Sequence, residues 1–356
     1  MYGKHWNRRR VQPGRRPHRQ LQTGEVQRLQ HRIFRAGSCN RAARLLRRGI
    51  DAADRWVQLA VQLNCRPAPG NHVPMDAVRS LAELRTICAA LRSRFGTLSL
   101  VPTMGALHAG HQALVEAATV SGGAVVTSIF VNPLQFGPHE DLSRYPRDEA
   151  GDLARLQTWG CHLAWLPDVT SMYEPGNATT VDVAGPSEGW EGDARPGHFR
   201  GVATVCAKLF GQVRPDRAYF GEKDWQQLQV VRRMVADLLP GLEIVAVPTV
   251  REPDGLALSS RNRFLQLDER RLAPKLYATL SEVAAALGGG DLSGPVLSAA
   301  RRQLQQEGFG VDYLALVDGA TLQTLASVTP GARLIAAARL GSVRLLDNVG
   351  ITQPGS

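Results

Sequence analysis

The sequence predicts an α/β protein, a parallel sheet covered by helices on both faces and followed by a smaller α+β domain. Three observations carry this. Short apolar, β-rich runs alternate with helical stretches between Met75 and Val247, the order that builds parallel βαβ units. The first strand, Thr97–Thr103, passes through a turn at Pro102 and Gly105 into a helix opening with His108-Ala109-Gly110-His111. Beyond Arg251 the alternation stops, and two helices precede three short strand-like pieces, the order of an α+β domain.

The elements follow in order. Ala77–Leu91 has the spacing of an amphipathic helix, and Thr97–Thr103 is the first strand. His108–Val120 is helix, and Ala124–Val131 is a second buried strand ending in Asn132-Pro133-Leu134-Gln135-Phe136-Gly137. Asp148–Trp159 is helix and His162–Leu166 strand. Gly185–Arg200, rich in Gly, Pro and charge, is expected to be a flexible flap. Val202–Val213 is helix, Arg217–Phe220 strand, Trp225–Leu239 helix and Glu243–Val247 strand. A loop over Arg251–Arg263 leads to a long Ala-rich helix, Leu267–Leu287, which Gly288-Gly289-Gly290 stops. Val296–Glu307 is another helix, and Val311–Val317, Arg333–Ala338 and Val343–Asp347 are strands.

Composition bounds the rest. A chain of 356 residues can hold two domains with a real core, and 44% hydrophobic residues is normal for a globular protein. No apolar run approaches the roughly 20 residues of a membrane span. The five cysteines, Cys39, Cys65, Cys88, Cys161 and Cys206, have no C-x-x-C spacing, which argues against a disulfide framework or zinc site and for a reducing, cytoplasmic setting. Of 42 Lys+Arg and 32 Asp+Glu, residues 1–74 hold 16 and 3, so residues 75–356 hold 26 and 29. The basic character therefore sits in the N-terminal segment, and the body is mildly acidic, without a nucleic-acid signature. Residues 1–74, with Arg8-Arg9-Arg10 and Arg47-Arg48 and a short helix around Ala42–Leu63, are read as a disordered or dispensable extension upstream of Met75. A basic arm for nucleic acid or an anionic surface is the alternative.

Four polar clusters fall at predicted carboxyl ends of strands or beside the hinge between domains. They are His108/His111, Asn132/Gln135, Lys223/Asp224 and Ser259/Ser260/Arg261. In an open parallel sheet ligands sit beyond those strand ends. A helix start with two imidazoles three residues apart can face one phosphate, since free N–H groups and the helix dipole favour an anion there. Each cluster alone has an ordinary explanation: a histidine that caps a helix, a solvated Lys–Asp pair, a glutamine tying down its loop. Together they supply imidazoles, an ammonium, a guanidinium and hydroxyls on one edge, an inventory for a triphosphate. Neither G-x-x-x-x-G-K-[ST] nor G-x-G-x-x-G occurs at such a place, so a P-loop enzyme or a dehydrogenase is not supported.

The motifs PTMGALHAGH, SIFVNPLQFG, RPGHFRGVATV, FGEKDWQQL and VREPDGLALSSRN resemble the pantothenate synthetase (pantoate–β-alanine ligase) family, in that family's order, from about Met75 to Ile351. The resemblance implies a class I nucleotidyltransferase fold: a Rossmann-like domain over 75–249 and a small C-terminal domain over 250–351, usually in a cytoplasmic homodimer. It implies an ATP-dependent ligase of pantothenate biosynthesis that makes pantoyl adenylate and pyrophosphate, then transfers the acyl group to β-alanine with release of AMP, with Mg²⁺ present. By motif position Met104, Gly105, Ala106, Leu107, His108, Ala109, Gly110 and His111 would line the ATP site. His111 would be the proton donor and His108 would assist at the phosphates. Gln135 would bind pantoate and β-alanine, and Gln227 pantoate. Gly221, Glu222, Lys223 and Asp224 would bind ATP, Lys223 on phosphate and Asp224 on ribose. Val250, Leu258, Ser259, Ser260 and Arg261 would close over adenine and triphosphate like a KMSKS loop, which makes Arg261 the fourth catalytic candidate after His111, His108 and Lys223. Leu258 stands where the family commonly has Met, a change that conserves volume. The metal ligands stay unassigned, with Asp152 the acidic residue considered. A class I aminoacyl-tRNA synthetase would need an RNA-reading domain, against which the acidic body and small C-terminal domain speak.

Overall fold

The computed structural model describes residues 75–138, 140 and 142–352. The expectations for residues 1–74, including the helix at Ala42–Leu63, lie outside the described residues.

The chain starts with a strand that the periodicity did not reveal. β1 (Asp76–Val78) pairs in parallel with the later strand at Leu163–Trp165, and α1 (Leu81–Phe95) begins only after Ser80. The expected helix from Ala77 therefore starts four residues late. Ser80 supplies the reason: its hydroxyl accepts the Glu83 N–H while the Glu83 carboxylate accepts the Ser80 N–H, a reciprocal cap that fixes the helix start. β2 (Leu98–Thr103), α2 (Ala109–Val120), β3 (Ala124–Ile129), α3 (Glu149–Trp159), β4 (Leu163–Trp165) and the short α4 (Val169–Met172) follow. β2 and β3 are buried along nearly their whole length, as strands covered on both faces must be.

Gly185–Arg200 is not the free flap expected from its composition. α5 (Trp190–Ala194) and the start of α6 (His198–Val213) lie within it, and Glu191, His198 and Phe199 are buried. The Gln226 amide pins it by donating to the carbonyls of Pro186, Glu188 and Gly189 at 3.1, 3.2 and 3.2 Å. β5 (Arg217–Gly221), α7 (Trp225–Leu238) and β6 (Glu243–Val247) complete a six-stranded parallel sheet of order β1-β4-β3-β2-β5-β6. The chain moves outward from β2 to β3 and β4, then returns to β5 on the other side, so strand order reverses between β2 and β5. One core cluster holds Leu84, Leu100, Trp165 and Phe210, and a second, around α2 and α3, holds Val101, Val115, Leu156 and Tyr219.

The long helix expected over Leu267–Leu287 is two helices, α8 (Leu267–Leu272) and α9 (Lys275–Gly288). Pro274 has no N–H for a continuous ladder, and the second helix restarts after it. α10 (Ser293–Gln306) precedes an antiparallel sheet of β7 (Gly310–Asp318), β8 (Ala332–Leu340) and β9 (Val343–Gly350), in that order. One face of this small sheet buries Leu316 and Leu334 against Leu276, Leu280 and Leu304. The other presents Ala315, Val317 and Ile335 to Trp190 and Trp225, and so sits against α5 and α7.

Candidate functional site

A cleft opens where strand order reverses, and a proline helps to open it. β2 pairs with β5 only at Ser99↔Arg217 and Leu100↔Ala218, whereas its ladder to β3 runs on to Thr103↔Ile129. Pro102 lies past the last β5 partner and has no N–H to offer, so the two strands part at their carboxyl ends. The resulting cavity has a volume of about 290 Å³.

The turn after β2 is held from below. Gly105 has φ +81° and Ala106 φ +51°, a left-handed pair of which the alanine is the costly member. The buried Asp152 carboxylate accepts the N–H groups of Ala106 and Leu107, each at 2.8 Å, and keeps the turn in place. Asp152, considered above for Mg²⁺, is thereby corrected to a structural anchor of the turn. Among the described residues, no group of three or more His, Cys, Asp or Glu could hold a metal ion.

His108 is the cap of α2 and not on its first turn, which begins at Ala109. Its Nδ1 accepts the Gly110 N–H at 3.1 Å, and Nδ1 of His111 accepts the His108 N–H at 3.2 Å. With both Nδ1 atoms accepting, this hydrogen-bond pattern assigns the hydrogen of each neutral ring to Nε2. The rings lie 4.2 Å apart, centroid to centroid, and both line the cleft. Burial, with the Lys223 charge second, pushes His108 down to about 4. Burial, with His108 second, pushes His111 down to about 3. Two neutral rings, each carrying its hydrogen on Nε2, thus line the cavity at neutral pH.

Asn132 and Gln135 follow β3. The Asn132 amide donates to Gln135 Oε1 at 3.0 Å and to the Gly201 carbonyl at 3.1 Å, and Gln135 Nε2 lies 3.0 Å from Met104 Sδ. Beneath this loop Arg195 forks onto Glu140 at 2.8 and 2.6 Å and donates to His198 Nε2 at 3.0 Å. Since a guanidinium only donates, His198 carries its hydrogen on Nδ1 and gives it to the Gln135 carbonyl at 2.9 Å. Burial, helped by the Arg195 charge, holds this ring neutral by pushing it down to about 4. Across the cleft Lys223 Nζ meets Asp224 at 3.2 Å. The hairpin from Val250 to Leu258 closes through the Leu258 N–H and Val250 carbonyl at 3.0 Å, and a 3-10 turn, Ser260–Phe264, follows Ser259.

Most expected residues therefore share one cavity. Met104, His108, Gly110 and His111 line it, and so do Gln135 and Gln227. Gly221, Lys223 and Asp224 join them, and Val250, Leu258, Ser259, Ser260 and Arg261 complete the lining. Five others do not line it. Gly105, Ala106, Leu107 and Ala109 shape the turn and helix start behind the wall, and Glu222 turns to Arg333 at 3.6 Å. The cavity also takes in residues that sequence reasoning passed over: Glu191 from α5, Tyr313 from β7, and Arg344, Asp347 and Asn348 from β9. No motif marks these positions, because each sits in a stretch that reads as ordinary loop or strand.

The pantoate–β-alanine ligase family profile matches residues 76–350 of this chain. The chain belongs to the pantoate–β-alanine ligase family. It is 58% identical over 281 residues to the pantothenate synthetase of Acidiphilium cryptum, covering 78% of this chain and 100% of that one. It is 57% identical over 278 residues to that of Granulibacter bethesdensis, covering 78% and 97%. The pantothenate synthetase structure from Thermus thermophilus superimposes with TM-score 0.74 at 51% identity, over 79% of this chain and 100% of that one. The Francisella tularensis pantoate–β-alanine ligase, solved with β,γ-ATP and β-alanine, gives 0.65 at 30% identity, over 78% and 98%. The activity of this ligase is the ATP-dependent joining of pantoate to β-alanine.

Proposed function

We propose that the ligase works through pantoyl adenylate, with the cleft between β2 and β5 holding ATP and pantoate together. The observation that carries this reading is the convergence of two neutral imidazoles, Lys223, the Ser259–Arg261 loop and the amides of Gln135 and Gln227 on one cavity. In the first step a pantoate carboxylate oxygen attacks the α-phosphorus. The bond to the bridging oxygen breaks, and pyrophosphate leaves with the electron pair. Nε2–H of His111 and His108 and the Lys223 ammonium stabilise the charge gathering on phosphate oxygens, as fixed donors in a confined cleft do. In the second step the β-alanine nitrogen attacks the acyl carbon, AMP departs with the bonding pair, and the nitrogen gives up a proton. Gln135, held rigid by Asn132 and by His198 beneath it, orients the acyl group. Burial of the cavity between the small sheet and α5 limits hydrolysis of the adenylate.

Mg²⁺ belongs to this reading only as a companion of the ATP phosphates, where it supplies charge neutralisation. With Asp152 committed to the turn, no all-protein cage is assigned, and a magnesium site commonly consists of substrate phosphates, water and one or two carboxylates. Asp224 is assigned to the ribose by motif position. The reading also takes residues 75–249 and 250–351 as two domains, since each sheet has its own core, and takes the enzyme as a cytoplasmic homodimer, on family resemblance alone. Its test is isotopic. Pantoate labelled with ¹⁸O in its carboxylate is expected to leave one ¹⁸O in AMP and none in pyrophosphate, read by mass spectrometry. Label in pyrophosphate or inorganic phosphate, with unlabelled AMP, would reject the adenylate.

A further inference from the structure

Asp347 and Asn348 are consecutive on β9, so their side chains leave opposite faces of the strand, and both are buried. Each takes hold of a different loop of the cleft. The Asp347 carboxylate grips Arg251 in a fork, at 2.6 Å to one terminal nitrogen and 2.8 Å to the other. Arg251 lies over the Tyr277 ring at 3.6 Å and opens the hairpin that delivers Leu258–Arg261, pairing with Ala257 and donating to the Gly255 carbonyl at 3.1 Å. Asn348 faces the other loop. Its Nδ2 donates to the carbonyls of Glu222 and Lys223, both at 2.9 Å, which uses both of its N–H groups. Its Oδ1 accepts the Arg333 guanidinium, which lies 3.4 Å over the Trp225 ring. The two residues are also tied to each other, the Asn348 N–H donating to Asp347 Oδ1 at 2.8 Å.

We propose that Asp347 and Asn348 are positioning residues for ATP. From one strand of the small sheet they set the Lys223 turn and the Leu258–Arg261 hairpin at a fixed separation. With both amide hydrogens of a buried asparagine committed, a carbonyl held on each side of Lys223 leaves that turn little freedom. The inference rests on Lys223 as a phosphate ligand, stated above. It adds that the small sheet takes part in nucleotide binding by holding these two loops, and that the two loops are set together.

The test is a double-mutant cycle in the full chain, reading KM for ATP and for pantoate at saturating β-alanine. Asn348→Ala is expected to raise KM for ATP by about tenfold, the scale of one lost ordering contact, and to leave KM for pantoate within about twofold. Lys223→Ala is expected to raise KM for ATP as well. The double variant is expected to be no worse than Lys223→Ala alone, because residues acting through one group are not additive. Asp347→Asn keeps the volume and serves as a second variant, with a smaller rise confined to ATP. A merely structural Asn348 would lower the thermal midpoint with KM for ATP unchanged, or its effect would multiply with that of Lys223→Ala, and either result overturns the proposal. If Lys223→Ala itself left ATP binding unchanged, the phosphate role of Lys223 would fall and the positioning role with it.

Discussion

At the scale of single residues, the protonation of His108 and His111 decides what the cleft can do. Both rings accept a backbone N–H on Nδ1, which an imidazolium cannot do, so charging either ring breaks its contact at the start of α2. The folded chain holds them near 4 and 3, against 6.5 for a free ring. Between those values the unfolded chain binds protons that the folded chain refuses. Their contribution is therefore fully present above pH 6.5 and is lost as pH falls toward about 4 for His108 and about 3 for His111. NMR of the two rings is expected to show Nε2–H tautomers that do not titrate between pH 7 and 5, and urea unfolding is expected to show stability declining over that range. Titration of either ring near 6.5 would contradict this. The histidine pair was legible in the sequence because a helix start following a buried strand is a known anion site. The tautomer was not legible, since it follows from ring-to-backbone bonds two and three residues away. Asp152 shows the converse error: an acidic residue in a nucleotide-binding region suggests a metal, whereas this one accepts two N–H groups of a strained turn.

At the scale of elements, α5 shows where composition misleads. Gly, Pro and charge in Gly185–Arg200 suggest freedom, yet Glu191, Arg195 and Arg200 each find a charged partner outside the stretch. Glu191 accepts the Tyr313 hydroxyl at 3.0 Å and the Arg344 guanidinium at 2.7 Å, and the Trp190 indole donates to the Leu322 carbonyl at 3.1 Å. These partners lie over 120 residues away, beyond any local pattern. Removing one member of a buried pair leaves the other uncompensated. Glu191→Ala is expected to cost about 3 kcal/mol in urea unfolding, near the low end for such a break because Arg344 keeps Asp312 at 2.6 Å. A cost below about 0.5 kcal/mol, the range of ordinary surface changes, would mean that α5 is held otherwise. β1 escaped notice for a different reason, since three residues are too few to display a period of two. β2 and β3 were plain because parallel strands buried on both faces read as continuous apolar runs, and β5 and β6 show the same over their buried middles and ends.

At the scale of the whole molecule, the parallel sheet supplies a cleft at its reversal of strand order, and the antiparallel sheet covers it. The alternation of strands and helices made the first sheet legible, and linked motifs located its site. The covering sheet was legible as three strands and not as part of the site, because Asp347 and Asn348 look like the end of a strand until Arg251 and Lys223 are brought beside them in space. The arrangement as a whole makes one chemical claim, that ATP and pantoate react in this cleft before β-alanine is needed. The direct measurement is exchange of labelled pyrophosphate into ATP, with pantoate as the only acid and no β-alanine. Exchange is expected to require pantoate and Mg²⁺ and to proceed without the amine. No exchange, in enzyme that makes pantothenate at its normal rate when β-alanine is added, would contradict it.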